Sequence, residues 1–288
     1  MTAAGQPRRF PRTPAPLVGR PLDRATIPPT EKPPRAPSEH EGAFVVVMPS
    51  VGEALLELAW PTRCVRCDAP GELLCETCRA ELGWVSQRWA CPTCGAPFGW
   101  VTCTECSAPV GEPWETRACV CALPLAGAAR SLVVAYKDAG ERRLAPVIAA
   151  AMATALDEAS AWPAPDGAAR FCASELDAVC FVPATSRAFR RRGFDHMEPV
   201  ARSLAAHLGL PLCDALARPE ARDQRRLGRA ARAENARGAT EAICDVSGLA
   251  LLLVDDVVTT GASLRAGAQA LLARGAESVT GCALARTW

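Results

Sequence analysis

The residues best placed for chemistry are Asp255 and Asp256, two adjacent carboxylates that follow the branched apolar run Leu251-Leu252-Leu253-Val254. Val257 and Val258 come next, then Thr259-Thr260-Gly261-Ala262-Ser263, then an Ala/Leu-rich helix expected over 263–274. The four apolar residues read as a strand buried on both faces, which is the habit of a parallel sheet. The acids are expected where that strand emerges. Strand, hydroxyl-and-glycine loop, helix is the order that builds a phosphate cradle. Backbone N–H groups of the loop and the helix N-terminus converge on one spot and favour an anion there. Thr259, Thr260 and Ser263 each carry a hydroxyl donor, and Gly261 allows close backbone approach. Ionised carboxylates only accept, so Asp255 and Asp256 suit sugar hydroxyls or a hydrated Mg²⁺ rather than the phosphate. An ordinary buried strand ending in a polar turn is the plainer alternative, and it accounts for less of the pattern.

A second set of chemical groups lies earlier. Four C-x-x-C pairs occur at Cys64/Cys67, Cys75/Cys78, Cys91/Cys94 and Cys103/Cys106. Each pair makes a knuckle presenting two thiolates, and two knuckles complete a tetrahedral zinc site. The simplest pairing joins neighbours, giving one site from the first two pairs and another from the last two; an interleaved pairing also fits the spacing. A dithiol redox centre is the rival for any single pair. Closed four-cysteine sites leave no position for substrate, so the metal would fold the module and do no chemistry. Cys119 and Cys121 stand too close together for a further knuckle. Trp84, Trp89, Trp100 and Trp114 are expected to pack the small module, with a stacking surface for single-stranded nucleic acid as the sharper alternative.

These groups need elements to hold them. Strands are expected over 131–136, 176–182, 210–216, 249–254 and 278–285, and helices over 51–60, 141–158 and 196–208, with a Pro/Gly linker at 162–170. The second of those strands ends at Pro183-Ala184-Thr185-Ser186. Alternating strands and helices predict an α/β domain with a doubly wound, mostly parallel sheet, whose ligands bind at the carboxyl ends of the strands. The segment 218–237 carries seven arginines against three acids and reads as part helix, part loop. Residues 1–47 form a Pro-rich tail that cannot bury enough apolar surface to stay ordered. The expected division is therefore a tail over 1–47, a zinc-ribbon module over 48–121 and the α/β domain over 122–288. Net charge is +1, which removes any global basic field for nucleic acid. No apolar run approaches the roughly 20 residues of a membrane span. Cysteines in metal-ligand spacing rather than a disulfide framework predict a cytoplasmic protein.

The stretch 251–263 resembles the 5-phosphoribosyl-1-pyrophosphate (PRPP) motif of type I phosphoribosyltransferases. Taken with the cysteine pairs, the chain resembles the ComF family, a zinc-ribbon module ahead of such a domain, linked to DNA uptake in natural competence. The likeness also rests on Tyr136-Lys137 with Gly140, Val182-Pro183 with Arg187, Arg191-Arg192-Gly193-Phe194, and Gln224, Leu227, Arg232, Asn235 and Arg237-Gly238-Ala239. Asp195-His196 stands where the family commonly has Asn-Gln, and Thr240 where it commonly has Phe. The resemblance implies that Val258, Thr259, Thr260, Gly261, Ala262 and Ser263 anchor the 5-phosphate of PRPP. Asp255 and Asp256 would be the catalytic acids, holding the ribose and ordering the waters of Mg²⁺. Pro183, Ala184 and Thr185 would hold pyrophosphate through backbone N–H groups, with Arg187 and Lys137 countering its charge, and 218–237 would close over the substrate. Two readings follow: phosphoribosyl transfer with pyrophosphate release, or a binding module in DNA uptake that contacts single-stranded DNA or an uptake-machinery protein.

Overall fold

The computed structural model describes residues 57, 61–107, 114–218 and 240–288. The expected tail at 1–47, the helix at 51–60 apart from Glu57, and the arginine-rich segment beyond Arg218 lie outside the described residues.

Short helices α1 (Glu76–Ala80) and α2 (Thr104–Ser107) belong to the cysteine-rich part. The remaining elements are β1 (Cys119–Pro124), α3 (Gly127–Lys137), α4 (Ala145–Ala159), β2 (Ala178–Phe181), α5 (Ser186–Arg192), α6 (Met197–Leu208), β3 (Leu216–Ala217), β4 (Glu241–Ala242), β5 (Ala250–Val258), α7 (Ala262–Ala273) and β6 (Ser278–Arg286). Strands pair in the order β1-β6-β5-β2, every pair parallel. Beyond β2, Val179 bridges Leu212 in parallel, which is the remnant of the strand expected over 210–216. The small antiparallel pair β3-β4 forms a separate ribbon.

Alternate residues of each strand feed two cores, as a sheet covered on both faces requires. Val120, Val179, Phe181, Leu252, Val254 and Leu284 pack with α3, α4 and α6 on one face. Cys119, Cys180, Leu251, Leu253, Val279 and Ala283 pack with α7 and the β3-β4 ribbon on the other. Adjacent strands β2 and β5 are thus followed by helices on opposite faces, so the crevice at their carboxyl ends is the switch point of the sheet.

Two expectations are corrected. The strand expected over 131–136 is helix α3. Leu132-Val133-Val134 favours a strand locally, but Ala128, Ala129, Leu132 and Tyr136 lie at helical spacing and are the buried residues, while Val134 is left exposed. The edge strand of the sheet is instead β1, buried along five of its six residues. It straddles position 121, so the cysteine-rich part and the α/β domain share a strand. Three of the four tryptophans expected in the module core, Trp84, Trp89 and Trp100, are instead between 41% and 47% exposed. The second cysteine cluster has Cys91, Cys94, Ala96 and Cys103 as its core, and of the four indoles only that of Trp114 packs against it.

The cysteine-rich part is fastened to the sheet rather than tethered. Leu74, Cys78 and Leu82 join the core under α3 and α4. Gln87 donates to the carbonyls of Val85 and Cys121, and the buried Arg170 donates to those of Pro163 and Gln87. Gly95, at φ +70°, lies so close to β1 that a Cβ would stand 2.5 Å from Cys121 Sγ; only glycine fits that knuckle.

Candidate functional site

The two acids are not at the end of the strand but inside it. Strand β5 continues to Val258 because β6 pairs with it as far as Arg286, whereas β2 stops at Phe181, opposite Val254. Past Val254 one side of β5 is therefore open, and Asp255 and Asp256 sit in that notch, 7% and 8% exposed. Their carboxylates accept from the backbone beside them: Asp255 Oδ1 from Asp256 N at 2.9 Å, and Asp256 Oδ1 from Val257 N at 2.8 Å.

Asp256 Oδ2 gathers two donors. Lys137 Nζ, from the last turn of α3, donates to it, and His196 Nε2 lies at 2.9 Å. Arg192 Nη1 approaches the other ring nitrogen of His196 at 3.3 Å, which leaves Nε2 to carry the proton toward Asp256. The pair of acids is electrostatically split. Burial pushes the Asp255 carboxyl up to about 8, with the charge of Asp256 adding to it. Burial also opposes ionisation of Asp256, but the hydrogen bond from His196 and the charge of Lys137 outweigh it and hold that carboxyl well below the usual range.

A cavity of about 420 Å³ opens over the notch. Pro183, Ala184 and Thr185 line one wall, Asp255, Asp256, Thr259 and Ser263 the other, with Lys137, Arg192, His196 and Arg218 also in its lining. Thr260, Gly261 and Ala262 make the turn between the lining residues, and Val258 is buried beneath them. Gly261 takes the left-handed conformation that starts α7, at φ +76°, and Ala262 N donates to Thr260 Oγ1. The first-turn N–H groups of a helix have no partner within it, so the start of α7 favours an anion. Across the cavity, Thr185 caps α5 by accepting from Ala188 N, and Asp195 Oδ2 accepts from Ala184 N at 2.6 Å. That Ala184 donor is already used within the protein.

Some expected site residues are placed differently. Lys137 rests on Asp256 rather than projecting freely into the cavity. Arg187 is exposed in the first turn of α5 and does not line the cavity; Arg192, its side chain 8% exposed, takes up the inward position, while Arg191 pairs with Asp138 at the surface. His196 is the residue that sequence reasoning passed over as a site member. The one signal for it was its standing where the family has Gln.

The eight paired cysteines assemble as two sets by neighbouring pairs, not interleaved. Cys64, Cys67, Cys75 and Cys78 form one, and Cys91, Cys94, Cys103 and Cys106 the other, with the ligand atoms of each within 4.8 Å of one another. A tetrahedral ion with Zn–S bonds near 2.3 Å needs sulfurs about 3.8 Å apart. Cys67 and Cys75 are at 3.5 Å, Cys91 and Cys106 at 3.8 Å, and Cys94 and Cys103 at 3.5 Å. The close thiols also act on one another. A hydrogen bond from Cys94 brings Cys91 down to about 5, while Cys94 itself, bonded to Cys91 and desolvated, is pushed far above the thiol range. Each set fits a metal ion.

Comparison with known proteins agrees with this geometry. Residues 197–287 match the family model of the phosphoribosyl transferase domain, which covers α6 to the end of β6 and so the notch and the loop 258–263. The DNA utilization protein YhgH of Salmonella typhi is 36% identical over 113 residues, 38% of this chain. The YhgH protein of Salmonella typhimurium matches to the same extent. The chain spans about half the length of these relatives, 50% of each. No helix among the described residues is long and apolar enough to cross a membrane.

Proposed function

We propose, for a chain that carries a phosphoribosyl transferase domain and resembles the ComF family, that the cavity binds PRPP and transfers its phosphoribosyl group with release of pyrophosphate, in the service of DNA utilization. The observation that carries this reading is the convergence of three things on one cavity: the acid pair in the β5 notch, the hydroxyl-and-glycine loop leading into α7, and the Pro183-Ala184-Thr185 wall. The 5-phosphate would sit against the loop 258–263, the ribose hydroxyls against Asp255 and Asp256, and the pyrophosphate between the wall and Arg192 and Arg218. Asp255 and Asp256 are the residues that would hold a hydrated Mg²⁺, which would supply charge neutralisation at the leaving pyrophosphate. Asp256 keeps its charge because Lys137 and His196 attend it, and so offers an acceptor to a ribose hydroxyl as positive charge grows at the anomeric carbon. Asp255, its carboxyl raised to about 8, can donate as well as accept, and would give up its proton on holding the metal. The two cysteine sets would hold structural zinc and take no part in the chemistry.

The test is calorimetric titration with PRPP in the presence and absence of Mg²⁺, followed by a pyrophosphate-release assay with a panel of bases. Tight Mg²⁺-dependent binding together with release supports the reading; no binding to either form removes it.

A second reading is favoured by one observation. Trp84, Trp89 and Trp100 are exposed, Phe98 stacks obliquely on Trp288 at 5.8 Å, and Arg88 lies over Trp89 at 4.7 Å. Rings and guanidinium groups of this kind stack with the bases of single-stranded DNA. Deleting the cysteine-rich part would expose the core beneath it, so the cleaner test is Trp89→Ala with Trp100→Ala. Salt-dependent oligonucleotide binding lost in that variant, with PRPP binding retained, supports an adaptor role; equal binding excludes it.

A further inference from the structure

Behind the phosphate loop lies a buried cation. Arg286 is the last residue of β6, stands opposite Val258 and is 1% exposed. Its Nη1 donates to the carbonyls of Val258 at 3.1 Å, of Thr259, and of Thr287 at 3.1 Å. The Val258 carbonyl is also held by Thr287 N at 3.0 Å, so the peptide that depends on Arg286 is the one after Thr259. In a planar trans peptide the carbonyl and the following N–H point opposite ways. Because β5 lies between β6 and β2, carbonyls drawn toward β6 turn the N–H groups of Thr259 and Thr260 toward the β2 side. That is the side on which the cavity opens, between 182–185 and Thr259.

Two contacts carry this loop down to the second cysteine cluster. Arg286 Nη2 is 3.5 Å from Glu105 Oε2, and Glu105 stands between Cys103 and Cys106. Trp114 packs against Cys91, Cys94, Ala96 and Cys103, and its ring atoms lie 2.4 Å from where a Cβ on Gly261 would be. We propose that Arg286 and Trp114 are positioning residues for the phosphomonoester end of a sugar phosphate, and that through them the second cysteine cluster sets the conformation of the loop 258–263. Neither side chain touches the ligand. Arg286 fixes which way the loop amides face, Trp114 props the loop at its glycine, and both stand on the metal-binding cluster. The inference rests on the phosphate reading given above.

The experiment is calorimetric titration of the full chain with ribose 5-phosphate and, separately, with inorganic pyrophosphate. Arg286→Met should weaken ribose 5-phosphate by at least about tenfold, the scale of charged hydrogen bonds lost to a carbonyl, and change pyrophosphate by less than about twofold. Arg286→Lys should recover part of the loss, Glu105→Gln should lose less than Arg286→Met, and a chelator that strips metal should reproduce the selective loss with a change in tryptophan emission. Should Arg286→Met fail to fold, the comparison of Arg286→Lys, Glu105→Gln and stripped wild type decides alone. Equal affinity in all of them, or an equal fall for both ligands, overturns the positioning role. Wild type that binds neither ligand overturns the phosphate reading itself, and this inference with it.

Discussion

Asp255 and Asp256 are neighbours in one strand, yet they meet opposite surroundings because successive side chains leave a strand on opposite faces. One sits under Lys137 and His196, the other in a buried position with the first for company. The consequence for stability has a definite sign. With the folded-state value raised to about 8, the Asp255 contribution is fully present below the ordinary 3.8 and is lost progressively as pH climbs from there through about 8. Wild type should therefore lose melting temperature between about pH 4 and pH 8 more steeply than Asp255→Asn, which cannot ionise. Parallel profiles would show the carboxyl to be ionised already. His196 offers a second check: His196→Gln keeps a donor for Asp256 and should cost about 1 kcal/mol less than His196→Ala in denaturant unfolding. At this scale the sequence was legible where residues are consecutive. The acid pair and the hydroxyl loop are read from one stretch, and Arg192 from the run Arg191-Arg192-Gly193-Phe194, whereas His196 and Arg286 are brought in by folding from positions with no local pattern of their own.

Among the elements, β5 and α7 were readable because a fully buried run and an alanine-rich helix flank a glycine. Where β5 ends was not readable, since its last four residues owe their strand geometry to pairing with β6 while β2 has already stopped. Helix α3 was missed for the opposite reason: its valines argue for a strand locally, and only packing of Ala128, Ala129, Leu132 and Tyr136 on α4 and the sheet decides otherwise. Strand β1 was hidden among cysteines and alanines that read as part of the metal module. The junction of β5 and α7 gives a sharp test. Gly261→Ala puts a side chain into the Trp114 ring at a positive φ, which should cost at least about 1–3 kcal/mol in thermal or denaturant unfolding. A variant as stable as wild type would mean that the loop is not packed against Trp114.

Across the whole molecule the cysteine clusters and the α/β sheet form one structure, because β1 continues out of one and into the other and Arg170, Gln87 and Trp114 cross between them. The spacing of the C-x-x-C pairs announced two sets of four thiols; their seating on the sheet, which turns three tryptophans outward, was not in the spacing. Metal analysis of protein purified without chelator under reducing conditions should find about two zinc ions per chain. Cys94→Ser should reduce that to about one and lower the melting temperature, and a count of zero in wild type would end the zinc assignment. The most direct measurement of the central claim is calorimetric titration with PRPP and Mg²⁺ of wild type beside Asp255→Asn and Asp256→Asn. The account predicts binding by wild type and a loss of at least about tenfold in each variant, the scale of a hydrogen bond to a charged group. Wild-type affinity in both variants would contradict it.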